Sequence, residues 1–99
     1  MKPLIESEKA IERKLGAEVK KLGGWTVKML SGLITGLPDR LVLLPGGRVY
    51  FVELKSTGKK PTKIQSVIHE KLRGLGFKVF VVDSTEELTE FLELIDSLL

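Results

Sequence analysis

The sequence predicts a small α/β domain, a mixed sheet packed between helices, and three observations predict it. Two apolar runs flank Pro45-Gly46-Gly47-Arg48, a strong hairpin signal. A strand, a helix and another strand succeed one another over residues 49–82, the order of a crossover unit, so the last strand should run parallel to the third. The 99 residues suffice for one domain with a single modest core.

The elements follow in order. Over residues 7–22, Ile11, Leu15, Val19 and Leu22 recur at helical spacing, and Gly23-Gly24 supplies the stop. Residues 25–30 read as a short strand, and residues 31–38, with two glycines and a proline, as a loop. Residues 40–44 and 49–55 should be the central strands, because both faces of 49–54 are apolar. After a basic turn at 56–61, Thr62 can cap a helix that runs to about Arg73 and buries Ile64, Val67, Ile68 and Leu72. Residues 77–82 form a nearly continuous apolar strand. Ser84 and Glu87 make a capping-box pattern for a final helix with the stripe Leu88, Phe91, Leu92, Ile95 and Leu99.

Composition excludes several classes. Hydrophobic residues at 42% and charged residues at 29% lie far from the signature of disorder. Without cysteine, the chain has no disulfide framework, thiolate zinc site or cysteine nucleophile, so any metal must sit on oxygen ligands. Its apolar runs fall short of the ~20 residues of a membrane-spanning helix. Residues 1–6 lack the apolar core of a signal peptide. A soluble, cytoplasmic protein without membrane partners is expected.

The formal charge of +3 conceals a division. Residues 83–99 carry six acidic residues and no basic one, so residues 1–82 hold all 16 basic residues against seven acidic ones, a net +9. That balance suits a polyanion, nucleic acid ahead of a membrane surface, since no basic amphipathic anchor helix stands out.

The most informative residues are charges placed where the pattern calls for apolar side chains. Glu53 and Lys55 lie two apart on a strand and so share a face. On spacing alone they also fit an exposed couple where the strand frays. Asp39 is a second break, at the mouth of the preceding strand, and a tight hairpin brings it close to the same strand end. Two carboxylates with a lysine alongside suit Mg²⁺ and phosphodiester hydrolysis. A two-residue turn at Gly46-Gly47 would pair Arg40 with Glu53 and send Asp39 to the opposite face. The site therefore requires that Asp39 lie before the regular ladder, re-aimed by Pro38, or that a bulge shift the register. In the first helix Glu8 falls near the centre of the apolar stripe and Glu12 about 40° to one side. Either acid finds a cation or hydrogen-bond partner, or the helix end projects beyond the core and leaves both solvated.

At Gly36-Leu37-Pro38-Asp39-Arg40, Pro45-Gly46-Gly47, Val52-Glu53-Leu54-Lys55 and Gln65, the chain resembles the virus-type replication-repair nuclease domain, VRR-Nuc, of the PD-(D/E)xK nuclease superfamily. The resemblance runs from residues 7–12 to the strand near residue 79. It implies a restriction-endonuclease-like αβββαβ core, here followed by an extra C-terminal helix, and a metal-dependent DNA endonuclease. Mg²⁺ or Mn²⁺ would be held by Asp39, Glu53 and the backbone carbonyl of Leu54, with Lys55 as the active-site lysine and no small-molecule cofactor. The superfamily's helix-1 glutamate best matches Glu12, with Glu8 the neighbouring candidate, and Gln65 matches a glutamine that supports the site. His69, one turn beyond Gln65, is not expected to be catalytic.

Lys59, Lys60, Lys63 and Arg40 would contact DNA. The chain resembles stand-alone phage-type members, which act as homodimers on branched DNA, and a bacterial or phage-infected cell is the expected setting. Four-way (Holliday) junctions are the expected substrate, within DNA repair. A flap or single-strand-junction nuclease, or a catalytically silent DNA-binding module, is the alternative.

Overall fold

Each helix begins on a side-chain cap. Ser7 accepts a hydrogen bond from the Ala10 amide and starts α1 (Glu8–Lys21). Thr62 and Gln65 form a reciprocal capping box that starts α2 (Lys63–Gly74). Ser84 accepts from the Glu87 amide and starts α3 (Thr85–Ser97). The computed structural model describes residues 5–29 and 34–98. The expected strand end at Leu30, the first part of the loop at 31–38 and Leu99 of the final stripe lie outside them.

Four strands, β1 (Trp25–Lys28), β2 (Arg40–Leu44), β3 (Arg48–Leu54) and β4 (Lys78–Val82), form one sheet in the order β1-β2-β3-β4. The first three are antiparallel and β4 runs parallel to β3, as the crossover order predicts. Helix α2 makes the crossover. The core lies on one face, where Ile11, Leu15 and Val19 of α1 and Leu88, Phe91 and Ile95 of α3 meet Val42, Tyr50, Val52, Leu54 and Val82. Truncating one of the large aliphatic residues, Leu15→Ala for example, would cost about 2–5 kcal/mol. The stripe of α3 is therefore spent on the chain's own core, and Leu98, at 48% exposure, lies beyond it.

The structure decides the hairpin register and corrects the buried face of α2. The hairpin closes through three residues, Pro45, Gly46 and Gly47, with Leu44 paired to Arg48. Its two glycines take φ of 84° and 74°, a left-handed conformation that side chains with a Cβ resist. Helix α2 also turns a different face inward. Ile64 and Val67, expected in the core, are 55% and 60% exposed, and the buried residue of this helix is His69. Helix α2 packs on β4 over the sheet face opposite the main core, and its inner side must meet the charged end of β3.

Candidate active site

The three-residue turn decides the geometry of the site. It pairs Arg40 with Val52, and extending this register by one residue sets Asp39 across from Glu53, on the same face. The shift that the carboxylate pair requires thus comes from turn length. Asp39 is held from both sides: its backbone oxygen accepts from the Met29 amide at 2.8 Å and its Oδ1 accepts from the Leu54 amide at 3.0 Å. Just upstream, Gly36 (φ 93°) approaches α2 so closely that an added Cβ would lie 2.8 Å from Ile64 Cγ2. The Gly-Leu-Pro-Asp turn is thereby seated against that helix.

Glu53 is 3% exposed and surrounded by nitrogen. Lys55 Nζ lies 3.6 Å from Oε2, and Gln65 Nε2 donates to the same oxygen at 3.3 Å. His69 Nε2 faces Oε1 at 3.6 Å. Gln65 does two tasks, because its Oε1 accepts from the Thr62 amide at 2.9 Å while its nitrogen reaches the site. Asp39, Glu53, Lys55, Gln65 and His69 therefore converge.

The remaining candidates divide. Arg40, expected on DNA, is 4% exposed instead; Nη2 pairs with Glu12 at 2.9 Å and Nη1 donates to the Asp39 backbone oxygen at 2.9 Å. It is buried because its strand position alternates with Val42 and Leu44 on the core face, where α1 supplies its counter-ion. Glu12 is thus engaged by Arg40, while Glu8 raises the pKa of both Asp39 and Glu53 and so stands close to the carboxylate pair. Glu8, Glu12, Asp39 and Arg40 border an open cleft of about 400 Å³. A second cleft of about 470 Å³, between α1 and α3, is bordered by Lys14, Leu88 and Leu92, none of them a site candidate. Lys59, Lys60 and Lys63 are exposed, on the turn after β3 and at the start of α2.

Crowding of carboxylates governs the electrostatics. Burial pushes Asp39 up to about 7, and the charge of Glu53 and a hydrogen bond with Glu8 add to it against the Leu54 amide and Arg40. Burial raises Glu53 as well, opposed by Lys55 and reinforced by Glu8. Burial lowers His69, with Arg73 and Lys55 in the same direction, which favours the neutral imidazole.

Among the described residues no three His, Cys, Asp or Glu side chains form a ready metal cluster. The donor set on offer is two carboxylates, Asp39 and Glu53, with the Leu54 amide bound to Asp39 Oδ1. It fits a hard divalent ion on one further observation: Glu53 Oε1 is buried and lacks a hydrogen-bond partner among the described residues. Sequence reasoning missed His69 as a member of this site. The available signal was its i,i+4 spacing from Gln65, which places both on one face of α2.

Known proteins share the sequence and the fold of this chain. No family model matches the chain. It is 47% identical over 79 residues to "Putative nuclease p44" of Acyrthosiphon pisum secondary endosymbiont phage 1, covering 80% of this chain and 85% of that protein. A solved structure named "VRR_NUC domain" superposes with a TM-score of 0.81 at 32% sequence identity, covering 89% of this chain and 97% of the other.

Proposed function

The chain belongs to the VRR-Nuc family of nucleases, and on that premise we propose that it is a Mg²⁺- or Mn²⁺-dependent endonuclease that hydrolyses phosphodiester bonds in branched DNA. Four-way junctions are the favoured substrate, cut by a homodimer whose twofold-related sites make paired nicks. One observation carries the reading: the β2–β3 register sets Asp39 across from Glu53, with Lys55 Nζ 3.6 Å from the Glu53 carboxylate.

Asp39, Glu53 and the Leu54 carbonyl would hold the cation. When bound, the ion supplies a Lewis acid that eases deprotonation of water and offsets phosphate charge. Lys55 orients the attacking water and steadies charge on the leaving oxygen. Glu8 takes the third carboxylate position, because Glu12 is engaged by Arg40. Gln65 holds Glu53 in place. Lys59, Lys60 and Lys63 grip the DNA backbone beside the site, contacts that position the duplex without reading its sequence.

The test incubates the protein with labelled four-way, flap and linear DNAs in Mg²⁺, Mn²⁺ or EDTA, beside Glu53→Ala and Lys55→Ala. Metal-dependent cutting of the junction by the wild type, lost in both variants, is the expected result. Binding without cutting, or equal cutting by the variants, refutes the enzyme reading. Light scattering should give twice the chain mass; a single chain's mass in solution and on DNA rejects the homodimer.

A further inference from the structure

Glu53 Oε1 and His69 Nε2 are both buried and 3.6 Å apart, and neither has a hydrogen-bond partner among the described residues. His69 is 2% exposed. An unpaired buried polar atom is costly, so an apolar residue at position 69 would serve packing better. The imidazole needs another reason to be there.

Its helix provides one. Gln65 and His69 stand one turn apart on the same face of α2. The capping box fixes Gln65 Oε1 on the Thr62 amide, which turns Nε2 toward Glu53 Oε2. Each oxygen of Glu53 therefore faces a different nitrogen from α2, the amide on Oε2 and the imidazole on Oε1.

We infer that His69 is a positioning residue: its Nε2–H donates to Glu53 Oε1 and, with Gln65, fixes the orientation in which the carboxylate receives a divalent cation. The inference rests on Glu53 being a metal ligand, as argued under Proposed function. The 3.6 Å separation exceeds an ordinary N–H···O contact by about 0.6 Å, so the two atoms must approach by that amount for the bond to form. The arrangement also accounts for the exposed Ile64 and Val67, since turning His69 and Gln65 inward turns those residues out.

Two measurements decide it. In metal-free ¹⁵N-labelled protein, the His69 ring should carry its proton on Nε2, and that resonance should move in Glu53→Gln. A proton on Nδ1 with Nε2 bare, or a resonance indifferent to Glu53→Gln, overturns the contact. Calorimetric titration with Mn²⁺ then compares wild type, His69→Leu and His69→Gln, with thermal unfolding in EDTA showing that each is folded. His69→Leu, which fills the space without a donor, should weaken Mn²⁺ binding about 10-fold or more, whereas His69→Gln, which can donate, should stay within about threefold. Wild-type affinity in His69→Leu, or equal losses in both variants, overturns the role. Absence of Mn²⁺ binding in the wild type overturns the metal-ligand reading of Glu53, and with it the purpose assigned to His69, while the tautomer result still reports on the contact itself.

Discussion

At the scale of single residues, Asp39 sets chemistry against stability. Its carboxyl titrates at about 7 against an ordinary 3.8, because burial and the neighbouring Glu53 and Glu8 disfavour its charge. A group whose folded pKa lies above its unfolded one stabilises the fold fully only below the unfolded value, and that contribution is lost as pH rises through the folded value. Metal-free protein should therefore lose stability through Asp39 as pH rises from about 4 to about 7. Asp39→Asn keeps an oxygen for the Leu54 amide and removes the charge. Its melting temperature at pH 8 in EDTA should exceed the wild type's by about 5 °C, with a flatter pH profile and no cutting. Adding Mg²⁺ should raise the wild-type melting temperature and leave the variant's unchanged. Parallel pH profiles for the two proteins would contradict the assigned cause. Strand alternation put Glu53 and Lys55 on one face in the sequence, whereas the face of Asp39 hung on the turn length, which the three-residue turn decides. The resemblance favoured Glu12 over Glu8; the opposite choice depends on Arg40 being buried beneath α1, a tertiary pairing without a local signal.

At the scale of elements, an unexpected tie joins the start of the chain to α3. The Glu6 carboxylate accepts from the Thr85 amide at 2.6 Å, from the Thr85 hydroxyl, and from Lys14 Nζ at 2.8 Å. The Thr57 amide donates to the Glu6 backbone oxygen, so the turn after β3 is bound into the same knot. An anion at a helix N-terminus also suits the helix dipole. Lys14 and Thr85 hold Glu6 down at about 2 against an ordinary 4.5. The sign is opposite to that of Asp39: this stability is present above the unfolded value and lost as pH falls toward the folded one. Glu6→Gln should cost roughly 1–3 kcal/mol in urea unfolding at pH 7. The difference from wild type should shrink by pH 3; an undiminished difference there would show that the charge is not the source. Helix existence was legible in sequence, and so were the caps Thr62 and Ser84, while the cap at Ser7 was not read there. The inward face of α2 was not. Periodicity selects the apolar stripe of an amphipathic helix, but this helix lies over a buried carboxylate, and Glu53 requires Gln65 and His69 more than the sheet requires Ile64 and Val67.

At the scale of the whole molecule, the division between a basic body and an acidic tail takes on a spatial meaning. The exposed lysines Lys59, Lys60 and Lys63 follow β3 and open α2, whereas Glu93 and Asp96 lie along the α1–α3 cleft bordered by Lys14 and Lys21. Fixed charges act on DNA only within about 8 Å at physiological ionic strength. Net charge should therefore be a poor guide to affinity, and position a good one. Each lysine that neutralises a phosphate contributes roughly 0.9 to the slope of log K against log salt. Fluorescence anisotropy with a labelled junction in EDTA, between 50 and 200 mM KCl as is usual for such slopes, separates the two accounts. Replacing Lys59, Lys60 and Lys63 together by Gln should reduce the slope by about 3. Replacing Glu90, Glu93 and Asp96 by their amides changes net charge by the same amount in the opposite direction and should leave the slope unaltered. If both triple variants shift the slope equally and oppositely, the DNA responds to overall charge and the turn after β3 with the start of α2 is not its binding surface.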